Sequence, residues 1–146
     1  MADSHEYSVD LNWQQDRKGT MSSAVLNTTI EVATPPEFPK GMPGIWSPEH
    51  LFVASVCSCL MTTFLAVAEN SKLEFSNFEC HAKGVLAKKD NKFQITEVHL
   101  FPSVTIPSTE KKERAERILE KSEQHCLISN SILSKISMQT TVKVAG

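Results

Sequence analysis

The chain is 146 residues long, 40% hydrophobic and 22% charged, with a formal net charge of -2. That size and mix suit one globular domain, taken as residues 1–146, and the missing basic excess sets nucleic-acid binding aside. The opening "MADSHEYSVDL" has no basic stretch leading into an apolar one, so the expected compartment is the cytoplasm, with Cys57, Cys59, Cys80 and Cys126 reduced.

In "YSVDLNW", Tyr7, Val9, Leu11 and Trp13 alternate with polar residues, and "NTTIEVA" follows after "DRKG". The pattern predicts an antiparallel hairpin with Gly19 in its turn. "TPPEFPKGMPG", Thr34 to Gly44, holds four prolines and two glycines, which excludes helix and interior strand and predicts a long ordered loop or gate. Ser47 then offers an N-cap, Pro48 suits the first helical position, and Glu49 complements the helix dipole.

From Leu51 to Ala68 no residue is charged, at the lower limit of length for a membrane span. Ser55, Cys57, Ser58, Cys59, Thr62 and Thr63 dilute the segment, which favours a helix buried in protein over one in a membrane. The run "FSNFECHAKGVLAKKDNKFQITEVHLFPSVTIP" predicts a second hairpin broken at "KKDNK" and ended by Pro107. In "STEKKERAERILEKSEQHC", Ala115, Ile118, Leu119, Ser122 and Cys126 recur on one face, which predicts an amphipathic helix. "SNSILSKI" reads as a short helix capped near Ser129, and "MQTTVKV" as a closing strand. The order is α+β, and a helix apolar all round needs more cover than one sheet and one thin helix provide, so a second copy of the chain is expected to supply it.

Cys57 and Cys59 are two apart on that helix, about 200° round its axis, and cannot serve one site. Each alone reads as a small buried hydrophobe. Cys80-His81 and His125-Cys126 are adjacent pairs, but strand neighbours face opposite sides and no zinc-like spacing occurs, so no metal is expected. His50, His81 and His125 read as surface or interface histidines, and Cys80 as a sheet-packing residue. Arg17 alone is a solvated turn charge and Glu49 a helix-start acid.

Taken together, "SPEHLFVASVCSC", "HCLISN" and "DRKG" before a strand resemble the OsmC/Ohr family of thiol-dependent peroxidases over nearly the whole chain. Matching Pro48-Glu49-His50-Leu51 to the family's helix start puts Cys59, not Cys57, at the reactive position. The second cysteine motif falls on Cys126 with Ser129 retained, and the family's arginine on Arg17. Leu127 stands where the family has proline, Cys57 where it has a small inert residue, and "EFPKGMPGIW" looks peculiar to a divergent branch.

The resemblance implies an OsmC-like fold: antiparallel sheets around a long central buried helix, in an intertwined homodimer with active sites at the interface. It also implies a peroxidase without a cofactor, in which Cys59 attacks an organic hydroperoxide, Cys126 closes a disulfide, and an external dithiol such as a lipoylated protein reopens it. Arg17 is expected to favour the thiolate and Glu49 to orient Arg17 through a bidentate ion pair. Ten residues of helix, about 15 Å of rise, separate Glu49 from Cys59, so these two groups are expected from the other chain. Leu51, Phe52, Leu60 and Phe64, with Met42, Ile45 and Trp46, are candidates to line an apolar entrance. The alternatives are a non-enzymatic dimer that binds an apolar ligand or senses redox state, and a Cys-based hydrolase, for which His50 lies too far along the helix.

Overall fold

A computed structural model describes residues 4–146. The elements run β1 (Asp10–Gln15), β2 (Lys18–Ser22), β3 (Ile30–Ala33), α1 (Pro48–Asn70), β4 (Asn77–Lys89), β5 (Lys92–Ile106), α2 (Lys112–Gln124), β6 (Lys135–Met138) and β7 (Thr141–Val144). The chain gathers into two compact units, one ending at Leu51 and the other beginning at Phe52, where the sequence suggests one domain.

In the first unit β1, β2 and β3 form an antiparallel sheet in that order. Gln15 pairs with Lys18, so the turn is Asp16-Arg17, with Asp16 at φ 49. Gly19, expected in the turn, instead lies inside β2 opposite Trp13. Aspartate tolerates the left-handed conformation, whereas a Cβ at Gly19 would stand 2.9 Å from the Asn12 carbonyl oxygen, so the glycine serves close strand approach. The alternating Tyr7, Val9, Leu11 and Trp13 are 64% to 91% exposed and form no part of this unit's interior.

The proline-rich loop is ordered, as expected. Met42 N–H donates to Thr34 O at 2.9 Å and Gly41 N–H to Phe38 O at 3.0 Å, and a Cβ on Gly41 would fall 2.0 Å from Pro35 O. Beyond the loop, Ala33 N–H donates to Trp46 O at 2.8 Å, which returns the chain to β3 just before α1.

In the second unit β4 and β5 form a long hairpin through Asp90 and Asn91, at φ 51 and 66, the signature of a type I′ turn. Both β6 and β7 pair with β5 in parallel, so this sheet is mixed where an antiparallel one was expected. "SNSILSKI" supplies only a 3-10 turn over Ser129–Ser131 before the backbone becomes extended at Ile132. From there burial alternates strictly, with Ile132, Ser134, Ile136 and Met138 turned inward, and this two-residue period overrides the expected helix. The expected closing strand over "MQTTVKV" is β7, entered from Met138 at the end of β6 and kept in line along β5 by Gln139 N–H to Leu100 O at 2.9 Å.

Helix α1 is long and apolar enough to cross a membrane by length and composition, yet it lays one side on the second unit's sheet. Val56, Cys59, Leu60, Phe64 and Ala68 are buried, while Ser58, Met61, Thr62, Leu65 and Ala66 form an exposed uncharged stripe, so within one chain the helix is covered on one side only. Two core clusters share it. Phe64 and Ala68 meet Val104, Ile106, Ala115 and Leu119, whereas Val56, Cys59 and Leu60 meet Val98, Leu100 and Cys126. Gly84 admits α1 to β4, since a Cβ there would lie 2.4 Å from Val53 Cγ2.

Candidate active site

The first turn of α1 is locked by Ser47. Its buried Oγ accepts the His50 backbone N–H at 3.1 Å and lies 2.6 Å from His50 Nδ1, the capping geometry expected of it. Trp46 sits edge-on to the His50 ring at 6.2 Å. Glu49 is thereby held at the helix start, and its Oε1 is buried without a hydrogen-bond partner among the described residues. A buried carboxylate oxygen left so is costly and calls for a cation or donor.

Arg17 is exposed at the β1–β2 turn, its carbonyl accepting Thr34 N–H at 3.3 Å. It borders a groove of about 330 Å³ lined also by Leu11, Trp13, Val32 and Pro48. Among the described residues the ion pairs are Lys18–Glu31 and His99–Glu97, so the expected pairing of Arg17 with Glu49 is not made within the chain.

Cys59 and Cys126, which the motifs single out, lie in one core cluster at 8% and 0% exposure, both as free thiols. Cys59 comes from the middle of α1 and Cys126 from just beyond the end of α2, where its Sγ donates to Ser122 O at 3.2 Å. Thr63 Oγ1 is 3.9 Å from the Cys59 sulfur. Burial first, and then the adjoining Cys59, push the Cys126 thiol up to about 12, against a Thr63 hydrogen bond that opposes the rise. The enclosure favours the neutral thiol at Cys126.

The apolar candidates divide. Leu60 and Phe64 are wholly buried, Leu60 beside the thiols and Phe64 in the other cluster between Phe75 and Phe78, with centroids 5.1 and 5.0 Å away, so neither lines an entrance. An apolar face with no charge near it is used for core packing before any pocket. Leu51, Phe52, Met42 and Ile45 are half-buried and Trp46 is 52% exposed, which leaves them accessible to a ligand.

A second thiol pair escaped the sequence reading. Cys57 Sγ lies 3.7 Å from the Cys80 carbonyl oxygen, both residues are half-buried, and both thiols are free. Burial first, then a hydrogen bond and charge from Cys57, push the Cys80 thiol up to about 12, while a backbone hydrogen bond at Phe101 acts the other way. The signal available was the alternation of β4, which turns Phe78, Cys80 and Ala82 inward together, but nothing local says which helix residue they meet. Among the described residues no group of three or more His, Cys, Asp or Glu is placed to hold a metal ion.

Three comparisons bear on this arrangement. The family model described as OsmC-like protein matches residues 41–141. The uncharacterized protein YmaD of Bacillus subtilis is 28% identical over 156 residues, covering 100% of this chain and 99% of that one. An OsmC-like protein of unknown function from Vibrio cholerae has the same fold with a TM-score of 0.85 at 23% identity, over 94% of this chain and 99% of its own. An organic hydroperoxide resistance protein from Elizabethkingia anophelis superposes with a TM-score of 0.73 at 24% identity, over 97% and 99%.

Proposed function

The chain belongs to the OsmC-like protein family, and on that premise we propose that it is a thiol peroxidase reducing organic hydroperoxides to alcohols. The observation that carries the reading is the juxtaposition of Cys59 and Cys126 as free thiols in one apolar cluster. The Cys59 thiolate attacks the terminal oxygen of the hydroperoxide; the O–O bond breaks, and the alkoxide takes a proton and leaves as alcohol, with a sulfenic acid left on Cys59. Cys126 attacks that sulfur, forming a disulfide and releasing water. An external dithiol then reduces the bond by two exchanges, which returns both thiols.

The active unit in this proposal is a homodimer. The uncharged stripe of Ser58, Met61, Thr62, Leu65 and Ala66 supports it, because such a face is stabilised by cover from a second α1. In the dimer Arg17, exposed in the single chain, turns to the lone Glu49 oxygen of its own copy, and the two groups then serve Cys59 of the other copy, with Arg17 favouring the thiolate. Leu51, Phe52, Met42, Ile45 and Trp46 give the approach its apolar character, which favours organic hydroperoxides over hydrogen peroxide. The organic hydroperoxide resistance protein of Elizabethkingia anophelis, so named and alike in fold, lends support.

The test is consumption of cumene hydroperoxide and hydrogen peroxide, side by side, by purified protein supplied with dihydrolipoamide. Rapid loss of the organic peroxide that depends on Cys59 is the expected result. Loss of neither would replace the enzyme with a dimer that binds an apolar ligand. Cys126→Ser is expected to accumulate oxidised Cys59 and progress to the sulfinic acid on excess peroxide.

A further inference from the structure

Cys57 and Cys80 take no part in that reaction. Cys57 is about half a turn round α1 from Cys59; its Sγ lies against the Cys80 carbonyl on β4, while Cys59 is buried with Cys126 in the cluster that Cys57 and Cys80 border. Cys80 shares the inward side of β4 with Phe78, Ala82 and Gly84. Val53 and Cys57, one helical turn apart, meet that side at Gly84 and Cys80, and the missing Cβ of Gly84 is what lets the helix come so near. The two cysteines are held near each other by elements packed in one core cluster. Both are half-buried, so a small reagent has access that the enclosed Cys126 does not offer.

We propose that Cys57 and Cys80 form a second dithiol–disulfide couple, separate from Cys59 and Cys126, which closes by exchange with a low-molecular-weight disulfide and fastens α1 to β4. The Cys57 thiolate attacks one sulfur of the small disulfide RSSR; that S–S bond breaks, one thiolate RS⁻ leaves, and a mixed disulfide remains on Cys57. Cys80, on losing its proton, attacks the Cys57 sulfur and expels the second RS⁻. Two protein thiols have then lost two electrons and two protons, and RSSR has become two molecules of RSH.

Two physical features favour this couple. The carriers are regular elements, a helix and a strand, so closing the bond orders little chain that is not already ordered. The raised Cys80 thiol makes the second step the slow one near neutral pH, so closure quickens as the solution becomes more alkaline. Closure also ties down the turn of α1 that carries Cys59, so the state of the surrounding thiol pool reaches the helix of the proposed peroxidase site. No hydroperoxide enters the couple, and it stands or falls apart from the peroxidase reading.

The experiment equilibrates native Cys59→Ser/Cys126→Ser protein with oxidised glutathione, then alkylates it and maps the peptides by mass spectrometry. The expected result is loss of both free thiols, a protein lighter by two hydrogens, a linked peptide joining Cys57 to Cys80, and reversal by reduced glutathione. Thiols that both remain alkylatable, or a glutathione adduct on Cys57 that never resolves, would overturn the proposal. If circular dichroism reports that the double variant is unfolded, the wild-type protein is treated in the same way, and a Cys57 linked to any other cysteine overturns it. Cys80→Ser should accumulate the glutathione adduct on Cys57; equal closure without Cys80 would also sink the couple. Peroxide consumption by the wild type, measured separately, does not bear on any of these outcomes.

Discussion

Cys59 and Cys126 are shut into the core at 8% and 0% exposure, while Cys57 and Cys80 meet half-buried where α1 lies on β4. The helix presents a thiol to each pair from positions two residues apart, because that offset turns the side chain to another side. In each pair the thiol outside α1 is pushed up to about 12, with burial the first cause and the helix thiol a further one. The pairs differ in who can reach them. The enclosed pair suits a reaction from which water is excluded, and the half-open pair suits exchange with small thiols.

The two thiol pairs separate most sharply at the helix cysteines. Cys59→Ser should lower hydroperoxide turnover by roughly 10³-fold or more, since it removes the nucleophile, whereas Cys57→Ser should stay near the wild-type rate. Equal losses in a coupled peroxidase assay would merge the two pairs into one system. Gly84→Ala comes next: its Cβ would fall 2.4 Å from Val53 Cγ2, and overpacking of this kind costs about 1–3 kcal/mol. Denaturant unfolding should report that loss, and thiol mapping should find slower closure of Cys57 with Cys80 but an undisturbed Cys59–Cys126 disulfide.

Ser47→Ala removes the cap at the N-terminal end of α1 and should cost about 1 kcal/mol by thermal unfolding. It should lower peroxide turnover by loosening Glu49 and leave the Cys57–Cys80 couple as it was. The smallest effect at neutral pH is the titration of Cys80 and Cys126, each raised from 9.0 to about 12. The unfolded chain sheds these protons first as pH rises, so their contribution to stability is whole below about 9 and is lost as pH climbs toward 12. Thermal midpoints measured across that window should fall less steeply in Cys80→Ala and in Cys126→Ala than in the wild type.

Much of this was legible from local chemistry. The Ser47 cap, the Pro48 start, the "KKDNK" turn and the inward stripe of Ala115, Ile118, Leu119 and Ser122 all fall where the residues place them. The "SNSILSKI" segment misled because isoleucines and a leucine among serines suit either period, and only pairing with β5 selects the extended one. Leu60 and Phe64 misled because apolar residues that serve a pocket and those that serve a core are the same residues.

Local chemistry encoded most of the elements, the Ser47 cap, the "KKDNK" turn, the motifs around Cys59 and Cys126, and the lack of charge along α1. Those follow from interactions spanning a few residues, which composition and spacing encode directly. Only the tertiary structure decided that Cys57 meets Cys80, that β6 and β7 run parallel to β5, and that one side of α1 is left open. These depend on the register in which distant segments pack, and a helix or strand carries the same local pattern whichever neighbour it meets.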